Sequence, residues 1–418
     1  MKVIRDIDKN IFRAYDIRGV YGQNITEDVA YTIGKAFGTY IKRFNENMCL
    51  VGHDNRLSSN SLNEALVNGI LDTGVDVIDL GLITTPMYYF ARIKKQIKPA
   101  IMITASHNPK EDNGFKLSFE RIAKGEDIYN FRNFVLNNAF DEGHGTLYRY
   151  NIKDEYIKLF QDTLNFGKRK IKVVLDCGNG TTSIIAKELY SMFPIDLIML
   201  YDESDGSFPN HHPDPIVEEN LADLKKKVII EKADVGIGFD GDGDRIGIVD
   251  SKGDVISSSK YAVIILKNIL KRSKNKKILY DIKCSNIVPE EIKKDKGIAI
   301  EYRTGAQYSM NKILDDNILF GVEYSGHIYF NNEFPLINSG LYAGLKLIEI
   351  LSKTKLSIND LLKGIKKYYE IPEIKIPSTD TKKVEVIDKI KEYALNKNYQ
   401  INNIDGVKVY YEDGSWAL

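Results

Sequence analysis

The sequence predicts an α/β protein made of three successive units and a smaller α+β segment at the C-terminal end. Apolar strand-like runs alternate with helical periods along most of the chain. That alternation restarts twice, each time after a charged stretch. In each unit an apolar run ends in a polar loop, at the place where open α/β sheets bind ligands. The 418 residues exceed one compact core and suit two to four domains.

Taken in order, residues 26–44 place Val29, Ile33, Phe37, Tyr40 and Ile41 on one helical face. An apolar strand follows at 48–54, then a helix near 60–72 and a strand at 75–81. Residues 100–109 run from a strand into a loop. This order predicts a mostly parallel sheet with crossover helices. The pattern restarts at 172–180, after the charged stretch 167–170, and 234–244 is its strand-to-loop transition. It restarts again at 277–285, after 271–277, and 318–327 repeats the theme. Domains of 1–150, 151–254, 255–368 and 369–418 follow from these restarts. The fourth opens on a Pro-containing linker at 372–378. It continues as an amphipathic helix with Val386, Ile387, Ile390 and Ala394 on one side. A hairpin turning at 412–414 ends it. The chain stops within the second strand of that hairpin, so a truncated sheet with mobile final residues is expected.

Composition excludes several classes. Lys+Arg and Asp+Glu both number 58, giving no net charge, whereas a dedicated nucleic-acid binder carries a basic excess. No apolar run is long enough to span a bilayer, and the charged N-terminus does not resemble a signal peptide. Cys49, Cys177 and Cys284 are few and widely spaced, which argues against a disulfide framework or zinc site and fits a cytoplasmic location.

Three loops carry candidate chemistry. Thr104-Ala105-Ser106-His107-Asn108-Pro109 offers a serine after an apolar strand, a nucleophile where a base or metal activates it. By itself the loop reads first as an Asn-Pro turn. Adjacent side chains in an extended strand diverge, so Ser106 and His107 are not expected to form a dyad. In Asp240-Gly241-Asp242-Gly243-Asp244-Arg245, glycines alternate with three carboxylates. Such a loop folds tightly enough to converge on Mg²⁺ or Ca²⁺, an acidic surface turn being the other reading. An EF-hand fails, because Arg245 and Ser251 stand at its Gly and Glu positions. Arg245 adds the cation a phosphate-transfer centre uses. Third, Glu323, Ser325 and His327 alternate along what reads as an extended segment. There they would face a polyhydroxylated ligand or simply water.

Together these loops resemble the α-D-phosphohexomutase family, in its phosphomannomutase/phosphoglucomutase branch. The resemblance extends to IFRAYDIRG (11–19), TTPMYY (84–89), the GNG turn (178–180), FPNHHPDP (208–215) and DGSW (413–416). It implies four domains around a central cleft, the first three related. It implies that Ser106 holds a phosphate and that Asp240, Asp242 and Asp244 bind Mg²⁺ with a phosphoserine oxygen. By the same resemblance, Arg18 and Lys116 are basic residues near the serine, and His107 shapes or polarises its loop. Lys283 and Arg303 lie by the sugar, and Glu323 and Ser325, with His327, contact its hydroxyls at C3 and C4.

The activity implied is interconversion of hexose 1- and 6-phosphates, of mannose, glucose or both. It runs through a hexose 1,6-bisphosphate that also serves as activator. Hexose phosphates are the implied partners, without nucleic acid or membrane, and a homo-oligomer is compatible. Alternatives are a phosphoglucosamine mutase and a non-catalytic sugar-phosphate-binding protein. Two departures from the family bear on this. Ala306 stands where a KTGHS-like loop has histidine, which leaves His327 as a substitute for proton transfer. The chain also ends at Leu418, before the family's C-terminal phosphate-binding loop, so impaired turnover is expected.

Overall fold

A computed structural model describes every residue except 138, 333–335, 372, 375, 379 and 413, and the side chains of 380 and 381. Its first sheet has six strands. Across the sheet they are Ile17–Val20, Asp112–Ser118, Ala100–Ile103, Met48–His53, Asp76–Leu82 and Leu147–Arg149. The second sheet is Val255–Ile256, Ile246–Asp250, Val235–Phe239, Ile171–Asp176 and Ile195–Leu200. The third, in the same sense, is Ile337–Asn338, Ile328–Phe330, Phe320–Val322, Lys277–Asp281 and Ile298–Tyr302.

These sheets share one wiring. A first strand pairs in parallel with the second and the third, which flank it. The third then turns back into an antiparallel fourth. The sheets are mostly parallel, as expected, and in each of them one strand runs against the rest. The three polar loops, 104–111, 240–245 and 323–327, are the turns into that reversed strand. They are too short for the crossover of about a dozen residues that a parallel pair requires.

The helix expected over 26–44 forms as Glu27–Ile41 followed by a 3-10 turn at Lys42–Phe44, and Thr26 caps its N-terminus by accepting from Val29 N. It packs on the helix Ser59–Leu71. A continuous core runs through the three sheets, including Leu50, Val173, Tyr261 and Leu279. All residues of the helix Gly340–Ser352 are buried, and it packs on the strands of the second sheet. A helix apolar on every face belongs inside a molecule.

The C-terminal sheet pairs Lys408–Tyr410 with Gln400–Asn402 on one side and Ser415–Ala417 on the other, both antiparallel. The central strand therefore has partners on both edges. Ile387, Ile390 and Ala394 of the helix Asp380–Asn396 cover it. Val386 does not, being 38% exposed; it sits about 100° round the helix from Ile387. Residue 413 of the expected turn and of DGSW, and 372 and 375 of the linker, lie outside the described residues. Among the described residues, no helix is long and apolar enough to cross a membrane.

Candidate active site

The first two polar loops meet. A Cβ on Gly241 would lie 2.6 Å from the Ser106 carbonyl oxygen, so the aspartate loop can cross the serine loop this closely only with glycine there. Ser106 has φ +50°, a left-handed conformation that costs a non-glycine residue about 1–3 kcal/mol. Its Oγ donates to Asp240 Oδ2 at 2.8 Å, and its N–H donates to Thr104 Oγ1 at 2.8 Å. Because the chain turns here, His107 does not diverge as a strand neighbour would. Its Nδ1 lies 3.4 Å from Ser106 Oγ, a proximity that adjacency in the sequence gave no evidence for. The Arg245 charge, burial and Arg18 hold His107 far below the usual imidazole range, so the ring is neutral.

Asp240, Asp242 and Asp244 are buried, with ligand oxygens within 4.8 Å of one another. Asp240 Oδ1 accepts from the N–H groups of Gly243 at 3.0 Å and Arg245 at 3.1 Å, which curls the loop around it. Gly243 has φ +80°. Burial, then Asp242 and Asp244, push the Asp240 carboxyl well above the carboxylate range. Burial pushes Asp242 up as well, but the Lys116 ammonium outweighs it and leaves that group low. Lys116, from the reversed strand of the first sheet, reaches Asp242 Oδ2 at 2.7 Å and Asp244 Oδ2 at 3.0 Å. Thr85 Oγ1 donates to Asp242 Oδ2 at 2.6 Å. Asp242 Oδ1 and Asp244 Oδ1 are buried with no hydrogen-bond partner among the described residues. Unpaired buried carboxylate oxygens are costly, and two of them within a convergent triad fit a hard divalent cation. The triad can therefore hold a metal ion.

Arg18 donates to Asn108 Oδ1 at 2.8 Å and pairs with Asp16, which places it beside the serine loop. The Arg245 Nε donates to His327 Nε2 at 3.1 Å and lies 3.8 Å from Asp240 Oδ2. That bond fixes the tautomer: the proton is on His327 Nδ1, which faces the Asp244 carbonyl at 3.2 Å and Asn338 Oδ1 at 3.3 Å. Both ring nitrogens are engaged, one by Arg245 and the other by Asp244 and Asn338.

The third loop is not extended. Glu323 and Gly326 form a tight turn, Gly326 N donating to Glu323 O at 3.0 Å, with Gly326 at φ +89°. This corrects the expectation that Glu323, Ser325 and His327 align along a strand. Glu323 and Ser325 still meet, because the turn folds Ser325 Oγ to 3.4 Å from Glu323 Oε2. Ser309 Oγ and Tyr329 OH donate to Glu323 Oε1 at 2.6 and 2.7 Å. Among the described residues the other oxygen receives only Ser325 and, at 3.3 Å, Gly305 N. Lys283 pairs with Glu373 at 3.0 Å, and Arg303 with Asp405 at 3.5 Å and the Tyr308 ring at 4.1 Å. Both are thereby turned toward the C-terminal part of the chain.

Sequence reasoning assigned no role to Thr85, Thr104, Arg56, Ser309, Tyr329 or Asp281. Thr85 and Thr104 fall in motifs that were noticed; Arg56, Ser309, Tyr329 and Asp281 lie outside the loops read for chemistry, and their partners come from other elements.

Comparison with known proteins places the chain among sequences of one family. Residues 9–124, 154–253 and 257–368 match, in order, the phosphoglucomutase/phosphomannomutase alpha/beta/alpha domains I, II and III. The chain is 37% identical over 410 residues to a phosphomannomutase/phosphoglucomutase of Pseudomonas syringae pv. tomato, covering 98% of this chain and 88% of that protein. It is 36% identical over 412 residues to a phosphomannomutase of Methanocaldococcus jannaschii, covering 96% and 89%. A crystal structure of a phosphoglucomutase/phosphomannomutase family protein from Burkholderia thailandensis superposes with TM-score 0.90 at 32% identity, covering 98% and 90%.

Proposed function

Because this chain belongs to the phosphoglucomutase/phosphomannomutase family, we propose that it interconverts hexose 1-phosphate and hexose 6-phosphate with Ser106 as phosphoryl carrier. It is a hexose phosphate mutase, an intramolecular phosphotransferase, and we take its substrates to include both glucose and mannose phosphates. One observation carries the assignment of the site: Ser106 Oγ bonds Asp240 at 2.8 Å while Lys116 spans Asp242 and Asp244.

In the first half-reaction the bond between phosphorus and Ser106 Oγ breaks. A bond forms from a free sugar hydroxyl oxygen to that phosphorus, and the hydroxyl proton passes to water. The resulting hexose 1,6-bisphosphate turns in the cleft, and its other phosphoryl group returns to Ser106 Oγ; in this second half-reaction the sugar oxygen that gives up its phosphoryl group takes a proton back. Asp240, Asp242, Asp244 and a phosphoserine oxygen would hold Mg²⁺, which when bound supplies neutralisation of charge on the transferring group. Arg18, Lys116 and Arg245 supply fixed positive charge around it. Neutral His107 beside Oγ supports the loop and can accept a hydrogen bond. Glu323 Oε2 and Ser325, bonded only at 3.3–3.4 Å, are free to tighten onto sugar hydroxyls. Lys283 and Arg303 would meet a sugar phosphate by exchanging Glu373 and Asp405 for it.

The test is turnover of glucose 1-phosphate and mannose 1-phosphate with Mg²⁺ and a trace of glucose 1,6-bisphosphate. Isomerisation that disappears with Ser106→Ala and with chelator is expected. Isomerisation that survives Ser106→Ala would remove the serine from the mechanism.

A further inference from the structure

Arg56 lies outside every motif discussed above, yet it is 3% exposed and faces the serine loop. Its two Nη groups donate to main-chain carbonyls. Nη2 donates to Ser106 O at 2.7 Å and to Asn108 O at 2.8 Å. Nη1 donates to Pro109 O at 2.6 Å and to Asp112 O at 2.9 Å. All four N–H groups at its two ends thus end on carbonyls of the serine loop and of Asp112, where the next strand begins. The Nε side faces Asp54 Oδ2 at 3.3 Å, and Asp54 is fixed in turn by Ser59 Oγ and by the Arg56 N–H on Oδ1. The carbonyl between the first two, His107 O, meets His212 Nε2 at 2.6 Å. Four consecutive carbonyls, 106 to 109, are therefore drawn to donors outside the loop, while Ser106 Oγ faces Asp240.

Such an arrangement needs a cause. The left-handed Ser106 conformation is unfavourable alone, and buried carbonyls turned to one side must be paired. A planar fork with five donors can satisfy four carbonyls spread over this loop and the start of the next strand; a lysine ammonium, a point charge with three donors, cannot.

We propose that Arg56 is a positioning residue for the phosphoryl carrier: it holds the main chain of the serine loop so that Ser106 Oγ points at Asp240. This rests on the mutase reading. Arg56 touches neither the sugar nor the transferring group. Its loss therefore slows phosphorylation of Ser106 without weakening sugar-phosphate binding, as a displacement near 1 Å can cost about 100-fold in rate.

The experiment compares wild type, Arg56→Lys, Arg56→Ala and Asp54→Asn for incorporation of labelled phosphate into Ser106 from glucose 1,6-bisphosphate. Steady-state turnover of glucose 1-phosphate and thermal unfolding are measured alongside. For Arg56→Lys, labelling rate and kcat are expected to fall together by about 10- to 100-fold, with KM within about twofold. Guanidinium ion should partly restore labelling to Arg56→Ala, and methylammonium should not. Unchanged labelling in a folded Arg56→Lys would overturn the proposal, as would a change confined to KM. Should both Arg56 variants fail to fold, Asp54→Asn decides, since it frees the guanidinium on one side and keeps the shape; slower labelling supports the proposal and unchanged labelling overturns it. A wild type that labels without isomerising would sink the mutase reading while the variants still decide the positioning role. Absence of labelling in wild type would overturn both.

Discussion

Asp281 is fully buried beneath the turn that carries Glu323, accepting from Tyr324 N at 3.1 Å and Thr304 Oγ1 at 3.1 Å. Burial, then the nearby Glu323, raise its pKa from 3.8 to about 6. A raised acid binds its proton more tightly when folded. Its contribution to stability is therefore complete below the unfolded value and lost as pH rises through about 6. Asp281→Asn keeps the shape and removes the titration. Relative to wild type, the variant should gain stability as pH rises from about 5 to about 8, by on the order of 1 kcal/mol. Denaturant unfolding at both ends of that range checks it; a constant difference would mean that Asp281 does not titrate there. Such residues were invisible in the sequence, because Asp281 owes its character to Thr304, Glu323 and Tyr324 on other elements. The aspartates of 240–244 were legible because the loop itself, with glycine between carboxylates, forces them together.

At the scale of elements, the helices Glu27–Ile41 and Ser59–Leu71 cross at two glycines. A Cβ on Gly34 would meet Leu66 O at 2.2 Å, and one on Gly69 would meet Tyr31 O at 2.2 Å. These neighbours are backbone, so the helices must separate to admit a methyl group. Gly69→Ala is expected to lower stability by about 1–3 kcal/mol while leaving kcat of the folded protein unchanged. Thermal unfolding with parallel kinetics measures this, and an unaltered melting point would show that the crossing can relax. Helical periods marked both helices in the sequence; their closeness was not marked, since two glycines at distant positions mean nothing until the helices pair. Strand order was legible only in part. The runs were found, but the reversed strand in each sheet was not inferred, although loops as short as 240–245 already exclude a parallel crossover.

Across the whole molecule, the C-terminal sheet is attached to the third sheet through Glu301. That carboxylate accepts from Lys408 Nζ at 2.6 Å, Asn402 Nδ2 at 2.6 Å and Tyr410 OH. Lys408 is 2% exposed, and removing the partner of a buried charge costs about 3–5 kcal/mol. Glu301→Ala should therefore release residues 380–418 to hydrogen exchange, while the strands of the other three sheets keep their protection. Equal protection in both proteins would mean that packing alone holds that part of the chain. By itself the sequence determined the α/β alternation, its two restarts, the serine loop and the aspartate loop, because periodicity and loop composition act over a few neighbouring residues. Only the tertiary structure decided that these loops are equivalent turns of three like-wired sheets. It alone brought Lys116 onto Asp242 and Asp244, Arg245 onto His327, and Arg56 behind Ser106, because those contacts depend on strands and loops meeting across sequence separations that no local pattern encodes.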